Sequence, residues 1–216
     1  MDLHNISYIA AQSITFNLML MTLLSLVFTL GSARKSYLIS GYLMLALLFA
    51  VSGLIIGKLY GYNLFMIPLF GLADYFFWSR FFTLKKSKWR KQLVWMDTLL
   101  VVYVFFEVYQ LSAGKDFLVI PGASLANLFI VIVMIYSYLK VFRIESAISW
   151  GIYSLVFVYA LFNCFFYLFL DFSIYWEDEY KFFVWLFRSF LLHMFYLFLP
   201  YYQWKIGKNP QHFSFG

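Results

Sequence analysis

Cysteine is nearly absent from this chain. The single one, Cys164, excludes an internal disulfide and a cysteine-rich metal site. Charge is almost as scarce. Only 12% of the 216 residues are charged, against 64% hydrophobic and 25% aromatic. A soluble domain is about 45–50% apolar and about 25% charged. No soluble globule of this size hides so much apolar surface, and the mean hydropathy of +0.80 fits a polytopic membrane protein. Histidine is rare too. Of His4, His193 and His212, only His193 lies inside an apolar run, so paired axial ligands for a di-haem cytochrome are missing. The last apolar run holds no deep lysine for a retinal Schiff base. H-E-x-x-H, a P-loop, a glycine-rich dinucleotide turn and G-x-S-x-G are all absent. No cofactor is expected. The start, Met1-Asp2-Leu3-His4, has no basic n-region, so the first apolar run is expected to be a retained helix.

What is present is a set of apolar runs, each long enough to cross a bilayer as a helix. A span needs roughly 20 residues. Seven runs are read as spans: 6–30, 37–60, 62–82, 93–112, 117–139, 147–170 and 182–204. Their unbroken apolarity excludes a β-barrel, whose strands alternate. The second and third are separated only by Gly61, which requires a tight hairpin or an early end near Gly57. The expected fold is all-α, a polytopic seven-transmembrane helix bundle. Residues 1–206 form one membrane domain and 207–216 a short cytoplasmic tail.

Orientation follows from the basic residues. Arg80–Lys91 holds six of the sixteen Lys and Arg residues. Together with Arg34, Lys35, Lys140, Arg143, Lys205 and Lys208, that places twelve on one side, against Lys58, Lys115 and Lys181 on the other. Cytoplasmic loops carry the excess, so the N-terminus is expected outside and the C-terminus in the cytoplasm. The expected location is the cell (inner) membrane. The net charge of +6 sits in short loops, so anionic lipid rather than nucleic acid is the expected partner. Lys85, Lys86, Lys88, Arg90 and Lys91 form the expected surface for lipid headgroups or for a membrane or cytoplasmic protein.

Ionisable groups inside spans are costly and usually face the bundle interior. Glu107 and Arg188 lie at similar depth in the outer third, which makes them natural partners. Gln110, Asn127, Asn163 and Tyr167 lie near that level. These six residues define an expected outward-facing polar cavity for a small ligand. The structural alternative is an ion pair with amide bonds tying helices together. Asp74 and His193 each lie about 18 Å from the outer boundary by helical rise, as an expected proton relay or switch, or as two separately satisfied neutral groups. Pro68 makes the third helix a candidate moving part. Asp97 is expected to pair with a nearby Lys or Arg.

The seven-span topology resembles that of seven-helix receptors. The E/D-R-Y and N-P-x-x-Y motifs of G-protein-coupled receptors are missing, and Leu199-Pro200-Tyr201-Tyr202 does not replace them. Three functions stay open: a sensory or regulatory subunit acting through a partner, a small transporter or channel, and an intramembrane lipid enzyme with Asp74, Glu107 and His193 as acid/base groups.

Overall fold

The computed structural model describes residues 3–30, 36–61, 63–82, 90–112, 121–141, 147–169 and 178–208. Those residues form seven helices and no strand: α1 Leu3–Thr29, α2 Ser36–Tyr60, α3 Met66–Phe82, α4 Arg90–Ser112, α5 Pro121–Val141, α6 Ala147–Phe169 and α7 Asp178–Lys208. Six are long and apolar enough to cross a membrane. Their outward faces are greasy: Val27, Leu48, Val102 and Leu139 are each more than 60% exposed. Apolar surface on that scale is stable only against lipid or another protein. The chain is a multi-pass, all-α membrane protein.

Helix α3 departs from expectation. It begins at Met66 rather than Tyr62, and its 17 residues span about 26 Å, short of a full hydrocarbon core. The cause is local. Gly61 takes a left-handed φ of 70° and its N–H donates to the Gly57 carbonyl at 3.0 Å. That bond ends α2, and only glycine adopts this conformation without strain. Asn63 then folds back, its Nδ2 donating to the Gly53 carbonyl at 2.9 Å, before Met66 N–H donates to Asn63 and α3 starts. Pro68 is therefore the third residue of α3. A first-turn N–H has no intrahelical partner, so this proline removes no helical bond and creates no hinge.

The packing forms two compact units. Among the described residues, one comprises 3–30, 36–52, 147–159 and 178–208; the other comprises 53–61, 63–82, 90–112, 121–141 and 160–169. In the first unit α1 packs on α7. Its core stacks Tyr159 on Phe195 at 3.9 Å, with the Tyr42 ring edge-on to Phe195. Beside it lies a fully buried polar knot. Ser25 Oγ donates to Gln203 Oε1, Gln203 Nε2 donates to Ser25 O at 3.0 Å and to Ser40 Oγ at 2.9 Å, and the two serine hydroxyls lie 2.7 Å apart. Every donor and acceptor of the Gln203 amide is used, so three helices are tied at one point without a charge. Tyr202 fits against Gly151, where a Cβ would lie 2.2 Å from its hydroxyl.

In the second unit α3, α4 and α5 pack mutually. Helices α3 and α5 run in the same direction, since Gly71 meets Ala123 and Ala126, Tyr75 meets Phe129, and Ser137 Oγ donates to Phe82 O. Small residues allow the close approach: a Cβ on Gly71 would sit 3.0 Å from the Ala123 Cα. Asp97 pairs as expected. Its carboxylate accepts from Arg80 at 2.6 Å and from the buried Tyr75 hydroxyl at 2.9 Å, tying α4 to α3.

Candidate functional site

The first two turns of α5 and the helices around them hold most of the buried polar side chains of the second unit. Glu107, on α4, is 3% exposed, and its Oε2 accepts from the Gly122 N–H at 2.8 Å. Pro121 and Gly122 open α5, so this carboxylate caps a neighbouring helix instead of its own. The positive end of the helix favours an anion there. The contact needs glycine: a Cβ at position 122 would lie 2.0 Å from Glu107 Oε2.

One turn into α5, Asn127 is 1% exposed and its Nδ2 donates back to the Ala123 carbonyl at 2.8 Å. Between them Ser124 Oγ donates to the Cys164 carbonyl of α6 at 2.9 Å. That bond brings the stretch of α6 carrying Asn163 and Tyr167, both buried, to the level of α5's first turns. Across the α3–α5 contact, Asp74 lies between Gly71 and Tyr75 and so at the level of Ala126–Phe129. It is 2% exposed. Gln110 follows Glu107 by three residues, on the same face of α4. Asp74, Glu107, Gln110, Ser124, Asn127, Asn163 and Tyr167 are thus polar groups of one unit on four helices near the first turns of α5, here termed the polar column.

Three acceptors in this group lack a donor. Glu107 Oε1, Gln110 Oε1 and Asn127 Oδ1 are buried with no hydrogen-bond partner among the described residues. Leaving such a group unsatisfied costs about 1–3 kcal/mol. The two amide oxygens only accept, and the Glu107 oxygen does so when the carboxyl is ionised. The missing complement is a group that donates N–H or O–H, or a cation.

The remaining expected site residues include two on α7. Arg188 and His193 belong to α7 in the first unit, whereas Glu107 and Asp74 belong to the second. Half-buried Arg188 lies over the Trp185 ring, one turn before it, at 5.5 Å. His193 has its own partners: Nδ1 lies 2.7 Å from the Ser189 carbonyl and Nε2 lies 3.1 Å from Ser13 Oγ. Lys91 is exposed and Arg90 opens α4. Lys85, Lys86 and Lys88 lie outside the described residues.

The sequence reading missed Ser13, Ser25, Ser40 and Gln203. Serine is ordinary in apolar helices, so only the neighbour relations of α1, α2 and α7 reveal these groups. Gln203 alone carried a signal, as an uncharged polar side chain inside the last span. No protein family, curated protein or solved structure matches this chain.

Proposed function

We propose that this chain is a membrane regulatory subunit that binds a small donor-bearing cation in the polar column of Glu107, Gln110 and Asn127 and acts through a separate partner. The observation that carries the reading is the three buried acceptor oxygens without donors. An organic ammonium group supplies what they lack, N–H donors and positive charge next to a carboxylate. The column is closed to solvent, so occupancy requires α4 and α5 to part. A ligand that fits only the parted arrangement shifts the equilibrium toward it, and that shift is the signal.

Transport of the same cation is the second reading. It is favoured by Asp74, a second buried carboxyl deeper along the same column.

Thermal unfolding in mild detergent tests the binding step. Ethylammonium chloride should raise the melting temperature progressively with concentration, as a ligand of the folded state does. Tetramethylammonium, with equal charge and no N–H, should not. The rise should vanish in Glu107→Gln. Equal effects of the two salts, or an unchanged rise in Glu107→Gln, would remove the site.

A further inference from the structure

Outside the polar column, the α1–α7 contact of the first unit assembles a nucleophile, a base and a hydrogen-bond donor. Ser13 Oγ lies 3.1 Å from His193 Nε2, and His193 Nδ1 lies 2.7 Å from the Ser189 carbonyl. A carbonyl only accepts, so Nδ1 carries the ring hydrogen. That tautomer leaves Nε2 as the acceptor facing the Ser13 hydroxyl, the arrangement a general base needs. Asn17 follows Ser13 by four residues, on the same face of α1. Its Nδ2 donates to the His193 carbonyl at 3.3 Å, and an amide nitrogen carries two N–H donors. Ser13, Asn17 and His193 are all half-buried, so the group is reachable from the surface. The surface around it is apolar: Phe16 on α1 and Phe190 on α7 are 61% and 53% exposed.

We propose that Ser13, His193 and Asn17 form an acyl-transfer site that takes carboxylic esters of long-chain fatty acids from the lipid phase. An acyl chain lies along Phe16 and Phe190 while its carbonyl carbon meets Ser13. The Ser13 oxygen adds to that carbon and its proton passes to His193 Nε2. The second N–H of Asn17 faces the oxygen on which negative charge develops. The bond to the alcohol breaks, and the alcohol leaves with the proton held by His193. Water then adds to the acyl-serine, giving its proton to His193. The fatty acid departs, and the Ser13 oxygen takes that proton back. The sum is ester plus water to acid plus alcohol. A backbone carbonyl, not a carboxylate, orients the imidazole, so the imidazolium gains less support than in a Ser-His-Asp triad and turnover is slow.

The test uses the full chain in mild detergent with a long-chain alkyl fluorophosphonate, followed by peptide mass spectrometry. The expected result is one adduct on Ser13, absent from heat-denatured protein and from Ser13→Ala, and formed about 100-fold more slowly in His193→Gln. Hydrolysis of p-nitrophenyl octanoate should fall in parallel. No adduct on folded wild type, or an adduct that survives Ser13→Ala, overturns the proposal and leaves an inter-helix hydrogen bond only. Should Ser13→Ala fail to fold, Ser13→Cys in a Cys164→Ser background keeps the test open. Its thiol should react with a long-chain iodoacetamide faster when His193 is present than in His193→Gln, and equal rates overturn the role of His193.

Discussion

Gly71→Leu should take α3 off α5. The glycine allows a close helix approach, with the backbone of Ala123 only 3.0 Å from where a Cβ would begin. Backbone cannot rotate out of the way as a side-chain tip does. Overpacking of a tight core costs about 1–3 kcal/mol, and leucine adds three carbons beyond the atom that already collides, so about 3 kcal/mol or more is expected. For a chain of this size that lowers the melting temperature by about 10 °C. Gly71→Ala should fall between wild type and leucine, because Ala123 and Ala126 Cβ atoms at 3.4 Å can yield a little. Circular dichroism in detergent should keep the helical signal near wild type until the shifted transition, since the helices survive and their packing does not. An unshifted transition in Gly71→Leu would mean that α3 and α5 do not meet at this point.

The second large effect concerns Glu107 and Gly122. Gly122→Ala places a methyl group where Glu107 Oε2 now sits and leaves Val104 Cγ2 only 3.2 Å away. The carboxylate must leave the α5 N-terminus, and its second oxygen already has no partner. A buried charge stripped of its partner costs about 3–5 kcal/mol. Glu107→Gln should be mild, because the amide oxygen still accepts from the Gly122 N–H. Glu107→Ala alone should lose the cap, at about 1 kcal/mol. The combination Gly122→Ala with Glu107→Ala should be more stable than Gly122→Ala alone, because the clash and the stranded charge vanish together. A coupling of about 3 kcal/mol or more in the double-mutant cycle is expected from melting curves. Additive losses would place the carboxylate away from Gly122.

These two glycines mark how much of the molecule is legible in its sequence. Helix number and approximate bounds follow from apolar runs, because a bilayer needs a fixed length of apolar helix, although only six of the seven helices reach that length. Each described helix overlaps one expected run, and only α3 is clearly shorter. Its late start depends on the positive φ of Gly61 and on the Asn63 side chain folding back over Gly53, details of turn geometry that hydropathy does not encode. Burial of Glu107, Asn127, Asn163 and Asp74 was also legible, because a polar group inside a span must face protein. The neighbours were not. Depth suggested Glu107 with Arg188 and Asp74 with His193, yet equal depth says nothing of which helices adjoin. The described contacts give Glu107 the Gly122 amide and give His193 the Ser13 hydroxyl, 180 positions away in sequence. Gln203 escaped for the same reason: its value lies in meeting Ser25 and Ser40, and no period along α7 announces that.

The proposed function requires a closed, acceptor-lined column inside a membrane protein to control another protein. Purification from native membrane in mild detergent, with mass spectrometry of what accompanies the chain, tests it most directly. The expected result is one stoichiometric partner, lost when Lys85, Lys86 and Lys88 are changed to glutamine and retained less tightly when ethylammonium is present. Recovery of the chain alone, with ethylammonium flux into vesicles that hold nothing else, would contradict it and make the column a transport path.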